Sequence, residues 1–326
     1  MAIGHGRAAG RGRGWYRGDC HVHSVHSHGG ELTAEQLAAA ARAAGLDFVA
    51  TTEHNNSRGH EDWLRYAGDD LLVILGQEVT TQTGHWLALG VAPGQVVDWR
   101  YGVRDDAIGQ YLDHVRQAGG VCVAAHPYAP YPGGTLMYPY RWFDTVEVWN
   151  GLWASDLPWN ADNEAALAEW GRRLAFDVAR GRWRPAMGNS DVHLEGQLGT
   201  PHTVVFAEEL SSDAILAGIR AGRSWIAESA AVELAFVATA GERSAGVGER
   251  LESRGESVAV RVRVAGVPSG VVSLHTERGT VCREQLPVDG GFVEWRTTAD
   301  EAGFVRTEVR HPDGRMAALS NPIVVN

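Results

Sequence analysis

The sequence predicts an α/β fold: a barrel-like array of parallel strands and helices, followed by a small antiparallel β-sandwich. Three observations predict it. Over residues 15–228, apolar strand-like runs alternate with helix-forming segments. Metal-ligand side chains close one strand-like run after another, as His21-Val22-His23, Glu53-His54, Glu78, His85, His126-Pro127 and Asp191-Val192-His193. After about Ser229 the helical segments give way to strands punctuated by turns. A barrel of parallel strands carries its active site beyond the carboxyl ends of the strands. The ligand residues are therefore expected to meet at one mouth, as a polynuclear metal site.

Each element has its own justification. Residues 1–14, with Arg7, Arg11 and Arg13 among Gly and Ala, read as a disordered tail. Thr33-Ala34-Glu35-Gln36 has the form of a capping box, the Ala-rich stretch 34–44 is strongly helical, and Gly45 is a natural stop. Residues 46–52 run as a strand into Glu53-His54, 71–76 into Glu78, and 84–91 carry His85. Residues 104–118 read as a helix closed by Gly119-Gly120, then 121–125 as a strand delivering His126 and 145–149 as another strand. A helix over 160–180, strands over 185–189 and 203–207 and a short helix over 213–221 complete the first domain, residues 15–228. In the second, 229–326, Val258, Val260, Val262 and Val264 alternate with Ala259, Arg261 and Arg263, the pattern of a half-buried strand. Val267-Pro268-Ser269-Gly270, Asp289-Gly290-Gly291 and Pro312-Asp313-Gly314 are turn signals between further β-like runs.

Composition narrows the chemistry. The chain contains no lysine, so all 29 basic residues are Arg. Schiff-base chemistry, a Walker-type phosphate loop and a carboxylated-lysine metal bridge are excluded. A net charge of -11 argues against nucleic acid as a partner and leaves a small molecule as the expected substrate. Cys20, Cys122 and Cys282 form no CxxC pair, so neither a disulfide framework nor a zinc ribbon is indicated and the expected compartment is reducing. No run approaches the length of a membrane span and no signal peptide opens the chain, which makes cytoplasm the expected location. The sequence carries no signal of oligomeric state.

Side-chain direction links spacing to metal binding. Residues i and i+2 of a strand project from one face, so His21 and His23 can grip one ion together while Cys20 and Val22 point away. Asp191 and His193 repeat the arrangement. The plainer alternative, buried core histidines, would require each imidazole to find its own separate partner.

These motifs resemble a known family. Arg17-Gly18-Asp19-Cys20-His21-Val22-His23-Ser24, Thr52-Glu53-His54-Asn55, Gly76-Gln77-Glu78, Ala125-His126-Pro127 and Ser190-Asp191-Val192-His193 look like the successive motifs of the PHP (polymerase and histidinol phosphatase) superfamily. Glu147-Val148-Trp149-Asn150 and Ala318-Leu319-Ser320-Asn321-Pro322-Ile323-Val324 resemble the branch that includes carbaryl hydrolase and the marinacarboline amide synthase. The resemblance implies a distorted (β/α)7 barrel and two to three divalent ions, commonly zinc, manganese or iron. It implies a first ion on His21, His23, Glu78 and Asp191, and a second on the bridging Glu78 with His85 and His126. A third would sit on His28, His54 and His193. Many members have Asp where His28 stands, and the usual Asp of the Thr-Asp-His motif is here Glu53. Neutral imidazole in place of carboxylate shifts preference toward borderline ions such as zinc. His26 is the alternative to His28 if the strand continues past Ser24.

The expected mechanism follows from the ions. A water shared by two cations loses its proton near neutral pH and attacks an electrophile whose oxygen a cation polarises. Asp191 is the candidate proton acceptor, and His193 the candidate donor to the leaving group, or His54 if the third site is empty. Asn55, Arg58, His60, Arg141, Trp149 and Asn150 are candidate substrate contacts, and Arg100 and Arg104 further candidates for gripping a phosphate. An aromatic-dense segment, Tyr138, Tyr140, Trp142, Phe143, Trp149, Trp153 and Trp159, either walls a pocket or packs the following helix on the barrel. Three function classes stand open. They are a metallohydrolase of a small phosphoester or of a carboxylic or carbamic ester or amide, a nuclease, and a non-catalytic metal-stabilised binding protein.

Overall fold

A computed structural model describes residues 12–326. Most of the expected tail lies outside the described residues. The first part of the chain comprises β1 (Gly14–Val22), α1 (Ala34–Ala43), β2 (Phe48–Thr51), α2 (His60–Leu64), β3 (Leu72–Thr81), β4 (Gly84–Leu89), α3 (Ile108–Gln117), β5 (Val121–Ala124), β6 (Thr145–Asn150), α4 (Asn163–Val178), β7 (Ala186–Asn189), β8 (His202–Ala207), α5 (Ser212–Arg220) and β9 (Ser224–Ala227). The capping box expected at α1 is formed: the Thr33 hydroxyl accepts from the Gln36 amide at 3.2 Å, and Gln36 Oε1 accepts from the Thr33 amide at 2.9 Å.

These strands lie in the hydrogen-bonded order β9-β8-β1-β2-β3-β4-β5-β6-β7. β1/β2, β2/β3, β5/β6 and β6/β7 are parallel. The expectation of parallel strands throughout is corrected at β4, which runs antiparallel to both β3 and β5, and at the other edge, where β8 runs antiparallel to β1 and β9 to β8. Only Gln82 and Thr83 separate β3 from β4, and a two-residue link makes a hairpin, whereas a parallel crossover needs about a dozen residues. A helix does not follow every strand either, because β5 and β6 are joined by an irregular segment whose one regular piece is a 3-10 turn, Tyr140–Trp142. The sheet curls into a half-barrel. Past β7, Val192 forms a parallel bridge with Val22, and the His23 amide donates to the Val192 carbonyl at 3.2 Å.

The strands are apolar on both faces, as a covered sheet requires. Phe48, Ile74, Leu87, Val123 and Met187 pack in one cluster with Ile215 and Ile219 of α5, while Val49, Ala88 and Val146 pack against Leu37 of α1, Leu112 of α3 and Trp170 of α4. Cys20 and Cys122 are buried within these clusters as free thiols.

The remaining strands are β10 (Glu233–Ala240), β11 (Arg243–Gly246), β12 (Arg250–Leu251), β13 (Val258–Ala265), β14 (Val271–Thr276), β15 (Gly279–Gln285), β16 (Gly291–Thr297), β17 (Phe304–Arg310), β18 (Met316–Ser320) and β19 (Ile323–Val325). The three turn signals fall between β13 and β14, β15 and β16, and β17 and β18. Strands β11-β10-β13-β16 form a separate sheet. Val258, Val260, Val262 and Val264 of β13 are buried and Arg261 and Arg263 exposed, as the alternation requires. That sheet shares one core with the other strands: Phe236, Val260 and Val293 lie with Val272, Leu274, Val305, Val309 and Ile323. The second half is continuous with the first, because β18 pairs antiparallel with β9.

Candidate metal centre

The ligand residues come together at one end of the half-barrel. β1 delivers His21 and His23 from one face, and β3 delivers Glu78. The antiparallel β4 brings His85 to the same end from its first turn, opposite Thr80. His54, His126, Asp191 and His193 lie just past β2, β5 and β7. The exits are conformationally costly: Asn55, His126 and Asp191 have φ of +52°, +21° and +51°, a region L residues avoid unless the surroundings hold them there. Such strain concentrates at functional sites.

Glu78 is the hub. Its Oε2 lies 3.4 Å from His21 Nε2, 3.3 Å from His23 Nε2 and 2.9 Å from His54 Nε2. Its Oε1 lies 2.9 Å from His85 Nδ1 and 3.0 Å from His126 Nε2. Asp191 Oδ1 closes the other side, 3.3 Å from His21 Nε2 and 3.0 Å from His23 Nε2. Four overlapping groups have donor atoms mutually within 4.8 Å: His21, His23 and Glu78; His21, His126 and Asp191; Glu78, His85 and His126; and His23, His54 and His193. His28 belongs to none of them and is exposed; His23 stands beside His54 and His193 in that group. His26 turns away, its Nε2 2.9 Å from Asp62 Oδ2.

Whether these residues fit divalent ions is decided by their unused atoms. His21 Nε2, His23 Nε2 and Asp191 Oδ1 are buried and make no hydrogen bond, yet they point at one another and at Glu78. Burying such atoms without a partner costs about 1–3 kcal/mol each. Separations of 3.0–3.4 Å match the roughly 3.4 Å edge of a tetrahedron with ligands about 2.1 Å from zinc. The donor set fits.

Charge is compensated within the cluster. Burial opposes ionisation of Glu78 and Asp191, but His21 and its neighbouring imidazoles outweigh it and hold both carboxyls well below the usual range. Burial likewise opposes protonation of His21, and Asp191, Glu147 and Glu78 together raise it well above an ordinary imidazole. His23 is different: burial, then His54, pushes it down to about 3, so it stays neutral and ready to donate a lone pair.

Three carboxylates support the ligand residues: Glu53, expected beside His54 as a ligand itself, and Glu147 and Asp19, which had no role assigned from sequence. Glu147, on β6 and fully buried, accepts from His21 Nδ1 at 3.1 Å, the His126 amide at 2.8 Å, Asn189 Nδ2 at 2.8 Å and Asn150 Nδ2 at 3.1 Å. It fixes the His21 tautomer so that Nε2 faces the cluster. Glu53 accepts from the Ser24 and Ser27 hydroxyls, each at 2.5 Å, and Ser27 Oγ lies 3.1 Å from His23 Nδ1. Asp19 accepts from the amides of Ser190 at 3.1 Å and Gly199 at 2.9 Å, tying β1 to the segment past β7. The signal for Asp19 was its place two residues before His21 on one strand face; Glu147 stood inside a motif already noted.

The expected substrate contacts divide. Asn150 reaches the cluster, Nδ2 donating to Asp191 Oδ2 at 3.2 Å. Asn55 sits at the mouth but is occupied, its Oδ1 accepting from the Thr80 amide at 2.9 Å. Arg58 is exposed on the same loop. His60 is corrected to a structural role: it is 1% exposed, Nε2 meets the Gly76 carbonyl at 3.1 Å and Nδ1 accepts from the Gly94 amide at 3.2 Å. Trp149 is core, its Nε1 donating to the Gly151 carbonyl and its ring set edge-on to Trp153. Arg141 lies ahead of β6, at the end opposite the cluster, and Arg100 is held by Asp98 at 2.9 Å. The aromatic segment is mostly packing, with Tyr138, Tyr140, Phe143, Trp149 and Trp153 buried and Trp159 exposed. Tyr131, which the sequence reading passed over, lies with its ring centroid 6.0 Å from those of both His85 and His126.

Fold and site together define an α/β protein with His, Glu and Asp clusters able to hold metal. The family model described as PHP domain matches residues 19–119, and the one described as PHP-associated matches 170–224. Comparison with curated proteins finds no match. Among solved structures, a two-domain protein from Bacteroides vulgatus, described as containing a predicted PHP-like metal-dependent phosphoesterase, is 16% identical, with a TM-score of 0.52 and coverage of 98% of this chain and 97% of that one. PsfC from Pseudomonas syringae is 19% identical over 62% of this chain and 88% of its own, with a TM-score of 0.43. The lesion-specific endonuclease PfuEndoQ from Pyrococcus furiosus is 17% identical over 64% and 56%, with a TM-score of 0.42.

Proposed function

We propose that the protein is a metal-dependent hydrolase of small molecules, with residues 15–228 forming a distorted (β/α)7 PHP barrel and 229–326 a β-sandwich. The convergence of the His21 and His23 Nε2 atoms, which make no hydrogen bond, on Glu78 from one side and Asp191 from the other carries this reading. His21, His23, Glu78 and Asp191 would hold one ion and Glu78, His85 and His126 a second, with His54 and His193 available to a third. Zinc, manganese and iron suit this donor set. Bound divalent ions would supply an ionised water as nucleophile and polarise the scissile oxygen.

The chain's own residues do the rest. Asp191, ionised and steadied by Asn150, accepts a proton from the attacking water. His54 and His193 are the more exposed imidazoles of the cluster, 24% and 28%, so they face incoming substrate, and where no third ion is held they are free to donate to the leaving group. Met137, Leu152, Leu157, Trp159 and Leu194 are exposed on the loops leaving β5, β6 and β7. Such an apolar rim suits a small substrate with an apolar body, as does the resemblance to the carbaryl hydrolase branch, and favours an ester, carbamate, amide or organic phosphoester over a polynucleotide.

The test combines metal analysis with a panel of chromogenic phosphate, phosphodiester, ester and carbamate substrates. The purified protein should contain two to three divalent ions. Activity should vanish on chelation, return on metal addition, and fall by about 1,000-fold or more in Glu78→Gln, in line with loss of an essential catalytic group. Activity that survives chelation, or the Glu78→Gln and His126→Ala changes, would refute the proposal.

A further inference from the structure

The loop after β5 is firmly held, yet it presents one group with nothing to bind. The Ala129 amide donates to the His126 carbonyl at 2.9 Å, Leu136 to Pro127 at 3.0 Å, Met137 to Thr83 at 2.9 Å, and the Gly84 amide to Gly133 at 2.9 Å. The loop is thereby pinned to both β5 and the β3–β4 hairpin. Tyr131 rises from it, half-buried, over the two imidazoles that flank Glu78 Oε1. A Cβ at position 134 would lie 2.2 Å from the Tyr131 ring, so Gly134 leaves the space the ring occupies. Burial, and then the Asp191, Glu78 and Glu147 carboxylates, push the phenol's pKa up, so it keeps its proton. Its hydroxyl makes no hydrogen bond among the described residues.

A rigid, neutral donor set beside a cluster of ligand residues and lacking a protein acceptor is an arrangement that can stabilise a developing oxyanion. We propose that the Tyr131 hydroxyl is a catalytic residue, donating a hydrogen bond to the oxygen of a bound phosphoryl or carbonyl group at the His85/His126 side of the centre. The assignment rests on the hydrolase reading and adds a chain-borne donor to it. It also gives the substrate a direction: the polar, scissile group lies under Tyr131, and its apolar body extends toward the rim at Leu152, Leu157 and Trp159 on the loop after β6. An arginine is not needed for that grip, which accords with Arg141 lying at the opposite end and Arg100 being tied to Asp98.

The test compares metal-loaded, full-length wild type with Tyr131→Phe, which keeps the ring and deletes only the hydroxyl. Orthovanadate, a tetrahedral oxyanion, is the binding probe. Its affinity should fall about tenfold in the variant at unchanged metal content, and kcat on any substrate of the panel should fall about 10- to 100-fold with KM changed less than about threefold. Vanadate that binds both proteins equally, or does not bind wild type, overturns the assignment. A drop in metal content in Tyr131→Phe also overturns it, because the residue would then act on the ligands rather than on substrate. If the panel shows no turnover by wild type, the hydrolase reading fails, while the vanadate comparison still decides the role of Tyr131.

Discussion

Glu147 belongs to none of the four donor groups, yet its carboxylate supports two of their histidines. One carboxylate receives the His21 ring, the His126 backbone and the side chains of Asn150 and Asn189. Carboxylates that hold a ligating histidine orient its ring and raise its basicity, and losing one weakens metal affinity by about 10- to 100-fold. Glu147→Gln is expected to fall in that range when metal affinity is measured by competition with a chromophoric chelator. The fold should be intact by circular dichroism, since Gln fills the same volume. Affinity equal to wild type would mean that Asn189 and the backbone suffice to hold His21. The same residues show what a sequence can convey. The positions that cluster were legible because most of them close a strand-like run and because His-x-His on a strand projects from one face. Supporting roles were not: Glu53 stood among the expected ligands, and Glu147 and Asp19 have no spacing of their own, because each role depends on which strands become neighbours. His28 was placed among the ligands by resemblance, and the structure leaves it exposed because the chain turns at residues 25–30 before the strand could carry it inward. His60 and Trp149 sit beside ligand motifs in sequence but point into packing.

At the scale of elements, the β-strands and long helices were readable from period and punctuation, while their direction was not. Alternation located β2 to β8, with the end of β3 five residues short, and gave α1, α3, α4 and α5; it gave no sign of β9, and the two-residue link at Gln82-Thr83 made β4 antiparallel. The five-residue α2 was too short to show a helical period. What the sequence could not convey at all is how the ends of distant elements are sealed. Asn321 lies between β18 and β19, and its side chain closes the edges of β7 and β9. Oδ1 accepts from the Ala186 amide at 2.7 Å, and Nδ2 donates to the carbonyls of Ala186 at 3.1 Å and Ser224 at 2.9 Å. Asn321 is 1% exposed, so no water can replace these bonds. Asn321→Leu, of similar size, would leave buried backbone donors and acceptors unpaired at about 1–3 kcal/mol for each group fully stranded, less whatever relaxes. A loss of roughly 2–4 kcal/mol in urea unfolding is expected. A change below about 0.5 kcal/mol would show that the β7 and β9 ends are held by the β18–β9 ladder alone.

At the scale of the molecule, the two halves are joined by a continuous sheet and by a buried polar seam. Arg17 on β1 reaches His202 on β8 through Nη1 at 3.0 Å and the Val232 carbonyl, just ahead of β10, through Nη2 at 3.2 Å, with its guanidinium 5.9 Å from the Trp225 ring centroid. Since Arg can only donate, His202 Nε2 accepts, and its Nδ1 donates to the Gly199 carbonyl at 2.9 Å. The ring is fully buried and neutral. Burial is the main cause of its pKa being lowered from 6.5 to about 4, and the Arg17 charge adds to it. The unfolded chain therefore binds a proton on this residue across a range where the folded chain does not. Stability from this group is fully present above about pH 6.5 and is lost as pH falls toward 4. At about 1.4 kcal/mol per tenfold in proton affinity, the ceiling is roughly 3 kcal/mol. Metal ligands also titrate on acidification, so the wild-type curve alone would confound the two. The discriminating measurement is the difference in unfolding free energy between wild type and His202→Gln, followed by urea denaturation from pH 7.5 to 4 in chelator. Gln can still accept from Arg17 and donate to Gly199 but does not ionise, so the wild-type advantage should shrink by about 2–3 kcal/mol over that interval. A difference that stays constant with pH would mean that the seam opens to water on acidification and that the two halves are held together by the sheet and the shared core, without this polar contact.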